Sequence, residues 1–132
     1  MQNLTVESAD RMLPLVRRIV INVRARHRLV ARKTDDHLRA ATPEEKRRSK
    51  LVLERLRADL AVYVAELKRL DVELLDAAQG LVGRRAELHG KTVTVVWRPG
   101  LPSFCEWFGD AETVADRRAL SEAPASAGAF DV

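Results

Sequence analysis

Three observations predict a mainly α protein: a long antiparallel two-helix coiled-coil hairpin with a small C-terminal β-hairpin and aromatic segment. Two stretches carry apolar residues at alternating steps of three and four. One fold-back register brings the two apolar stripes together. The period then falls to two in the residues that follow. At 132 residues the chain fits one domain. The boundaries predicted are 1–120 for that domain, with helix one over 5–40, helix two over 43–79, a β-hairpin over 84–98 and an aromatic segment over 99–120. Residues 121–132, rich in Ala, Ser and Gly, read as a disordered tail.

Helix one opens at Thr5, a hydroxyl cap followed by Glu7 in the first turn, where an acid suits the positive end of the helix dipole. Its stripe runs Val6, Ala9, Leu13, Val16, Val20, Val23, His27 and Val30. Pro14 lies within it and predicts a kink over Asp10 to Leu13, because the stripe continues in phase on either side. Helix two starts at Thr42-Pro43-Glu44-Glu45, with a hydroxyl at the cap, proline at the first helical position and Glu three residues after the cap. Its stripe is Leu53, Leu56, Leu60, Tyr63, Leu67, Leu70, Leu74 and Ala77, with Gly80 as the expected C-cap. Folding back about Ala41-Thr42 sets Val30 against Leu53, Val20 against Tyr63 and Val6 against Ala77, and all eight pairs fall in register.

The β element rests on Thr92 to Trp97, where β-branched residues alternate, with His89-Gly90 as the turn and Arg85 to Leu88 as the partner strand. Beyond Arg98-Pro99-Gly100, the residues Phe104, Trp107 and Phe108 concentrate aromatics in a chain that has only 5% of them. That segment is expected to pack at the base of the hairpin. Trp97, Trp107, Arg117 and Arg118 are the candidates for a pocket there.

Chemistry-bearing residues are sparse. His27, His37, His89 and Cys105 have no metal-ligand spacing. No phosphate loop, nucleophile elbow or zinc signature is present. No catalytic residue, metal or cofactor is assigned, and the protein is expected not to be an enzyme. His27 occupies a core stripe position and reads as a polar residue that sets register. No segment has the apolar length to span a bilayer, and no signal peptide is expected at Met1 to Asp10. With a single cysteine, this places the protein in the cytoplasm, away from membranes.

Charge is uneven. From Arg24 to Arg57 there are 12 Lys/Arg and five Asp/Glu, a surplus of +7 at the hairpin tip against +4 for the whole chain. Arg28, Arg32, Lys33, Arg47, Arg48 and Lys50 are the candidates for contact with nucleic-acid phosphates. A solvated arginine-rich surface is the plainer reading, and nucleic acid is not the favoured partner. A second apolar set lies off the main seam: Met12, Leu15, Ile19, Ile21 and Leu29 on helix one, and Leu51, Val62 and Val72 on helix two. A bare hairpin leaves these in water. The expectation is therefore a homodimer, an interaction or structural protein whose hairpin mediates self-association and partner binding. The alternative is phosphate-backbone binding by the tip.

The order of motifs resembles a bacterial family catalogued as domain of unknown function 2203. The resemblance rests on Leu4-Thr5, Met12-Leu13-Pro14-Leu15-Val16-Arg17-Arg18, Gly80-Leu81-Val82, Gly90, Trp97, Gly100, Trp107 and a late Arg117 or Arg118, and covers Leu4 to about Leu120. It brings no activity with it. In that family's pattern an Asp follows Gly-Leu-Val, a Glu follows the glycine after the strand, and a His follows the later Trp. Here Gly83, Leu101 and Phe108 stand at those places. The resemblance thus implies a divergent member without that polar set.

Overall fold

A computed structural model describes residues 5–120. The chain order is α1 (Val6–Arg11), α2 (Leu13–Arg39), α3 (Pro43–Arg69), β1 (Val72–Asp76), β2 (Leu81–Leu88), β3 (Lys91–Trp97), β4 (Glu106–Gly109), a 3₁₀ turn (Val114–Asp116) and β5 (Arg118–Ala119). The strands form one antiparallel meander in the order β1-β2-β3-β4-β5. The expectation of a mainly α fold with only a small β-hairpin is therefore wrong. The molecule is α+β, with a helical hairpin packed at its base against a five-stranded sheet. The tail expected over 121–132 lies outside the described residues.

The helical half follows its sequence signals. Thr5 Oγ1 accepts the Ser8 amide at 3.1 Å and opens α1. The kink falls at Met12, where the helix divides and the Met12 carbonyl accepts from both Leu15 and Val16. Proline has no amide hydrogen to give, so Pro14 sits where a helix start leaves amides unpaired anyway. At the tip, Thr42 Oγ1 accepts the Glu45 amide at 3.1 Å, and Glu45 Oε1 accepts the Thr42 amide at 3.0 Å. This reciprocal cap holds the Glu45 carboxyl below its ordinary value, chiefly through the Thr42 hydroxyl and amide. Val20 is fully buried, and Leu60 packs against the core.

The sheet half departs from expectation. Helix two ends at Arg69, ten residues short of the predicted 79. Leu70 and Asp71 turn the chain, with Asp71 in the left-handed region at φ 59°. Leu70, Leu74 and Ala77 do keep helical spacing, but Val72 and Leu74 also keep a strand's spacing of two. Pairing with β2 decides between the two, with Val72 opposite Arg84 and Leu74 opposite Val82. Gly80 is consequently a turn residue between β1 and β2, with φ 72°. A Cβ there would stand 2.8 Å from both Val20 Cγ1 and Arg24 Cδ, so the turn lies directly on α2.

β2 begins at Leu81, four residues ahead of the strand expected, and pairs with β3 along its length through the His89-Gly90 turn. Both turn residues have positive φ, 52° and 82°, which gives the strands the twist a two-residue hairpin needs. The aromatic segment supplies two further short strands, β4 and β5. The sheet's inner face presents Val72, Val82, Ala86, Val93, Val95, Trp97 and Trp107 to Ala9, Leu13, Val16, Val20, Val23 and Leu67. Phe104 closes this core, and its amide is fixed by Asp10 Oδ1 of α1 at 2.7 Å. The sheet also buries two members of the second apolar set, Ile19 and Val72. Ile21, Leu51 and Val62 remain exposed.

One charge enters the core. Arg84 faces inward from the middle of β2 and is 6% exposed. Its guanidinium rests on the Met12 sulfur, with the Asp71 carboxylate 4.0 Å away. Its Nε has no partner among the described residues. Burial lowers its pKa, and Asp71 opposes that shift.

Candidate functional site

Alternation along the strands separates the four pocket candidates. Val95 pairs with Trp107 and Trp107 with Arg118, so Trp107 and Arg118 share the inner, helix-facing side with Trp97. Arg117 falls on the opposite side.

Trp97 is packed in the core. It is 1% exposed, its indole N–H donates to the Leu101 carbonyl at 2.8 Å, and the Arg17 guanidinium lies 5.7 Å from its ring centre. Arg117 Nε binds Glu106 Oε1 at 3.2 Å on the outer face, where Arg98 approaches the same oxygen at 3.4 Å. These two residues are structural.

Trp107 and Arg118 do meet at a cleft. It is an open hollow of about 570 Å³ at the far end of β3 and β4, and its lining includes Lys91, Val93, Trp107, Ala111, Glu112 and Arg118. The Arg118 guanidinium stacks over Trp107, 4.4 Å from the ring centre, and pairs with Glu112. Glu112 also accepts the Gly109 amide at 2.7 Å. That amide and then Arg118 lower the Glu112 pKa, so the carboxylate is ionised across the neutral range. The Trp107 indole N–H is enclosed and has no acceptor among the described residues.

The sequence pointed to Trp107 and Arg118 but missed Lys91 and Glu112. Neither has a local signature. They join the cleft because the β2–β3 turn ends beside the loop after β4.

The six tip candidates do not converge. At about 100° per residue, Lys33 and Arg48 fall on one flank of the hairpin. They line a hollow of about 430 Å³ that also contains Asp36 and Glu45. Lys33 lies 3.7 Å from Asp36, and Arg39 is held by Asp35 at 3.2 Å. Arg28 and Arg32 turn to another face of α2. Lys50 lies about 160° around α3 from Arg48 at that same helical spacing. Arg47 faces outward from α3. The basic residues ring the arm and form no single groove.

His27 is half-buried, and His37 Nδ1 shares a hydrogen bond with Ser49 Oγ that ties the two helices near the tip. Cys105 is a half-buried free thiol. Among the described residues no group of three His, Cys, Asp or Glu is placed to hold a metal ion, and no helix is long and apolar enough to cross a membrane.

By class, then, this is an α+β protein with a projecting helical arm and a small cleft at its sheet edge. A family model described as "Uncharacterized conserved protein (DUF2203)" matches residues 3–120, and the chain belongs to that family. Neither a curated protein nor a solved structure gave a match.

The three positions where the resemblance implied missing polar groups hold packing groups here. A Cβ on Gly83 would stand 2.7 Å from Thr94 Cγ2 and 2.9 Å from Leu75 Cδ1, so no larger side chain fits without movement. Phe108, opposite Thr94, shares that outer face. Leu101 packs against the core and accepts the Trp97 proton.

Proposed function

We propose that the protein is a non-enzymatic interaction protein whose arm joins two copies through the outer face of α3. The observation that supports this is a stripe complementary to its own reverse. Leu51 and Val62 are 61% and 59% exposed and lie three helical turns apart on the face opposite the core seam. Glu44, Arg47, Arg55, Ala58, Glu66 and Arg69 fall on the same face.

Place a second α3 antiparallel, about a two-fold axis between residues 56 and 57. Leu51 then meets Val62, Glu44 meets Arg69, Arg47 meets Glu66, and Arg55 meets Ala58. Apolar meets apolar, and each of the four outer charges meets its opposite. None of those four has an ion-pair partner within its own chain among the described residues. Ala58 is small enough to let the helices approach to about 8–10 Å.

Light scattering after size exclusion tests this. At about 100 µM, well above a micromolar dissociation constant, the chain is expected to elute as a dimer. Val62→Glu and Leu51→Glu, both on exposed positions, should return a folded monomer. Glu66→Arg should weaken the dimer, and adding Arg47→Glu should restore it. A wild-type monomer, or no rescue by the double charge swap, contradicts the proposal.

A further inference from the structure

We propose that the cleft beside Trp107 binds a small aromatic carboxylate. Its own acids are already engaged. Asp110 pairs with Arg85 at 3.0 Å, while Glu112 holds Arg118 and the Gly109 amide. The Lys91 ammonium has no carboxylate partner among the described residues, and it lines the same cleft. The Trp107 ring forms another wall of the cleft, its N–H enclosed and without an acceptor among the described residues. The chemistry left over at the cleft's surface is one cation without a counter-charge, which calls for an anion.

The walls select the rest of the molecule. Val93, Ala111 and Trp107 give the cleft an apolar lining. Arg118, held over the indole by Glu112, presents a guanidinium, a group that stacks on aromatic rings. The volume of about 570 Å³ lies within the range of small-molecule sites. A ring carrying one carboxylate fits these terms, with the carboxylate at Lys91 and the ring against the Arg118–Trp107 stack. This inference is independent of the α3 interface, whose residues lie elsewhere on the molecule.

Benzoate is the probe, with the two indole N–H signals of the intact protein followed by nitrogen-edited NMR after sequential assignment. Titration to about 10 mM reaches any site of millimolar affinity or better. The Trp107 signal should shift and saturate, while the Trp97 signal, whose N–H is bonded to Leu101, should stay in place. Lys91→Gln, at an exposed residue, should weaken binding about tenfold. Acetate, with the charge but no ring, should bind about tenfold more weakly than benzoate. A Trp107 signal that never moves overturns the proposal. So does equal binding by the Lys91→Gln variant, or by acetate.

Discussion

The two halves of the helical hairpin are held differently. At the base, Val16, Val20, Val23 and Leu67 are all 0% exposed, because the sheet covers the side of the seam that the helices leave open. In the arm, Leu53 is the buried position of α3 and Leu51 stands in water, while Ile21 and Val62 are exposed on outer faces level with the base. A pair of helices buries only one stripe on each. A third layer is needed to build a core, and the chain supplies it at one end. The outer face of α3, which neither the seam nor the sheet covers, keeps apolar and charged surface in water along its length.

Truncating the seam at each end sharpens this contrast. Leu67→Ala should cost about 3–5 kcal/mol, since the sheet-backed core cannot collapse around the cavity. Leu53→Ala, outside the cluster that the sheet backs, should cost about 2 kcal/mol. Chemical denaturation checks both, and equal losses would break the distinction between base and arm.

Arg84→Met should raise stability by about 1–2 kcal/mol. A buried guanidinium with one distant carboxylate is a poor substitute for an apolar side chain of similar length. A thermal melt reads the gain, and a loss would mean Asp71 serves Arg84 better than its 4.0 Å separation implies.

The smallest effect belongs to the tip. Thr42→Ala should cost about 1 kcal/mol by removing the α3 cap. Glu45 has its pKa lowered on folding, so its share is complete above the ordinary value of 4.5 and is lost as pH falls through the depressed folded value. Protection from hydrogen exchange at the start of α3, taken relative to the intrinsic exchange rate at each pH, should therefore fall below that pH in the wild type and change less in the Thr42 variant. An identical acid response in both would remove the cap from the account.

The hairpin was legible because its signals are local. Thr5, Pro14 and the Thr42-Pro43-Glu45 start each act within one or two turns. The sheet was obscured for the opposite reason. Leu70, Leu74 and Ala77 continue a helical spacing into a segment that becomes β1, and Asp71 breaks the helix with no glycine or proline to announce it. In β2, inward Arg84 interrupts the apolar alternation that would have revealed eight strand residues. β4 and β5 are too short to show a period.

The same logic applies to the cleft. Trp107 and Arg118 drew notice as conspicuous residue types. Lys91 and Glu112 join them only through strand pairing, and Arg117, adjacent in sequence, lands on the other side of the sheet.

The α3 pairing can be tested at the level of single residues. With Cys105→Ser as background, Arg55→Cys and Ala58→Cys together set the thiol at 55 of each copy against the thiol at 58 of the other, two pairs about the two-fold axis. Mild oxidation should give a covalent dimer from this protein and none from Ala61→Cys, which lies on a different face. Failure to cross-link, or equal cross-linking at residue 61, would contradict an interface built on the outer stripe of α3.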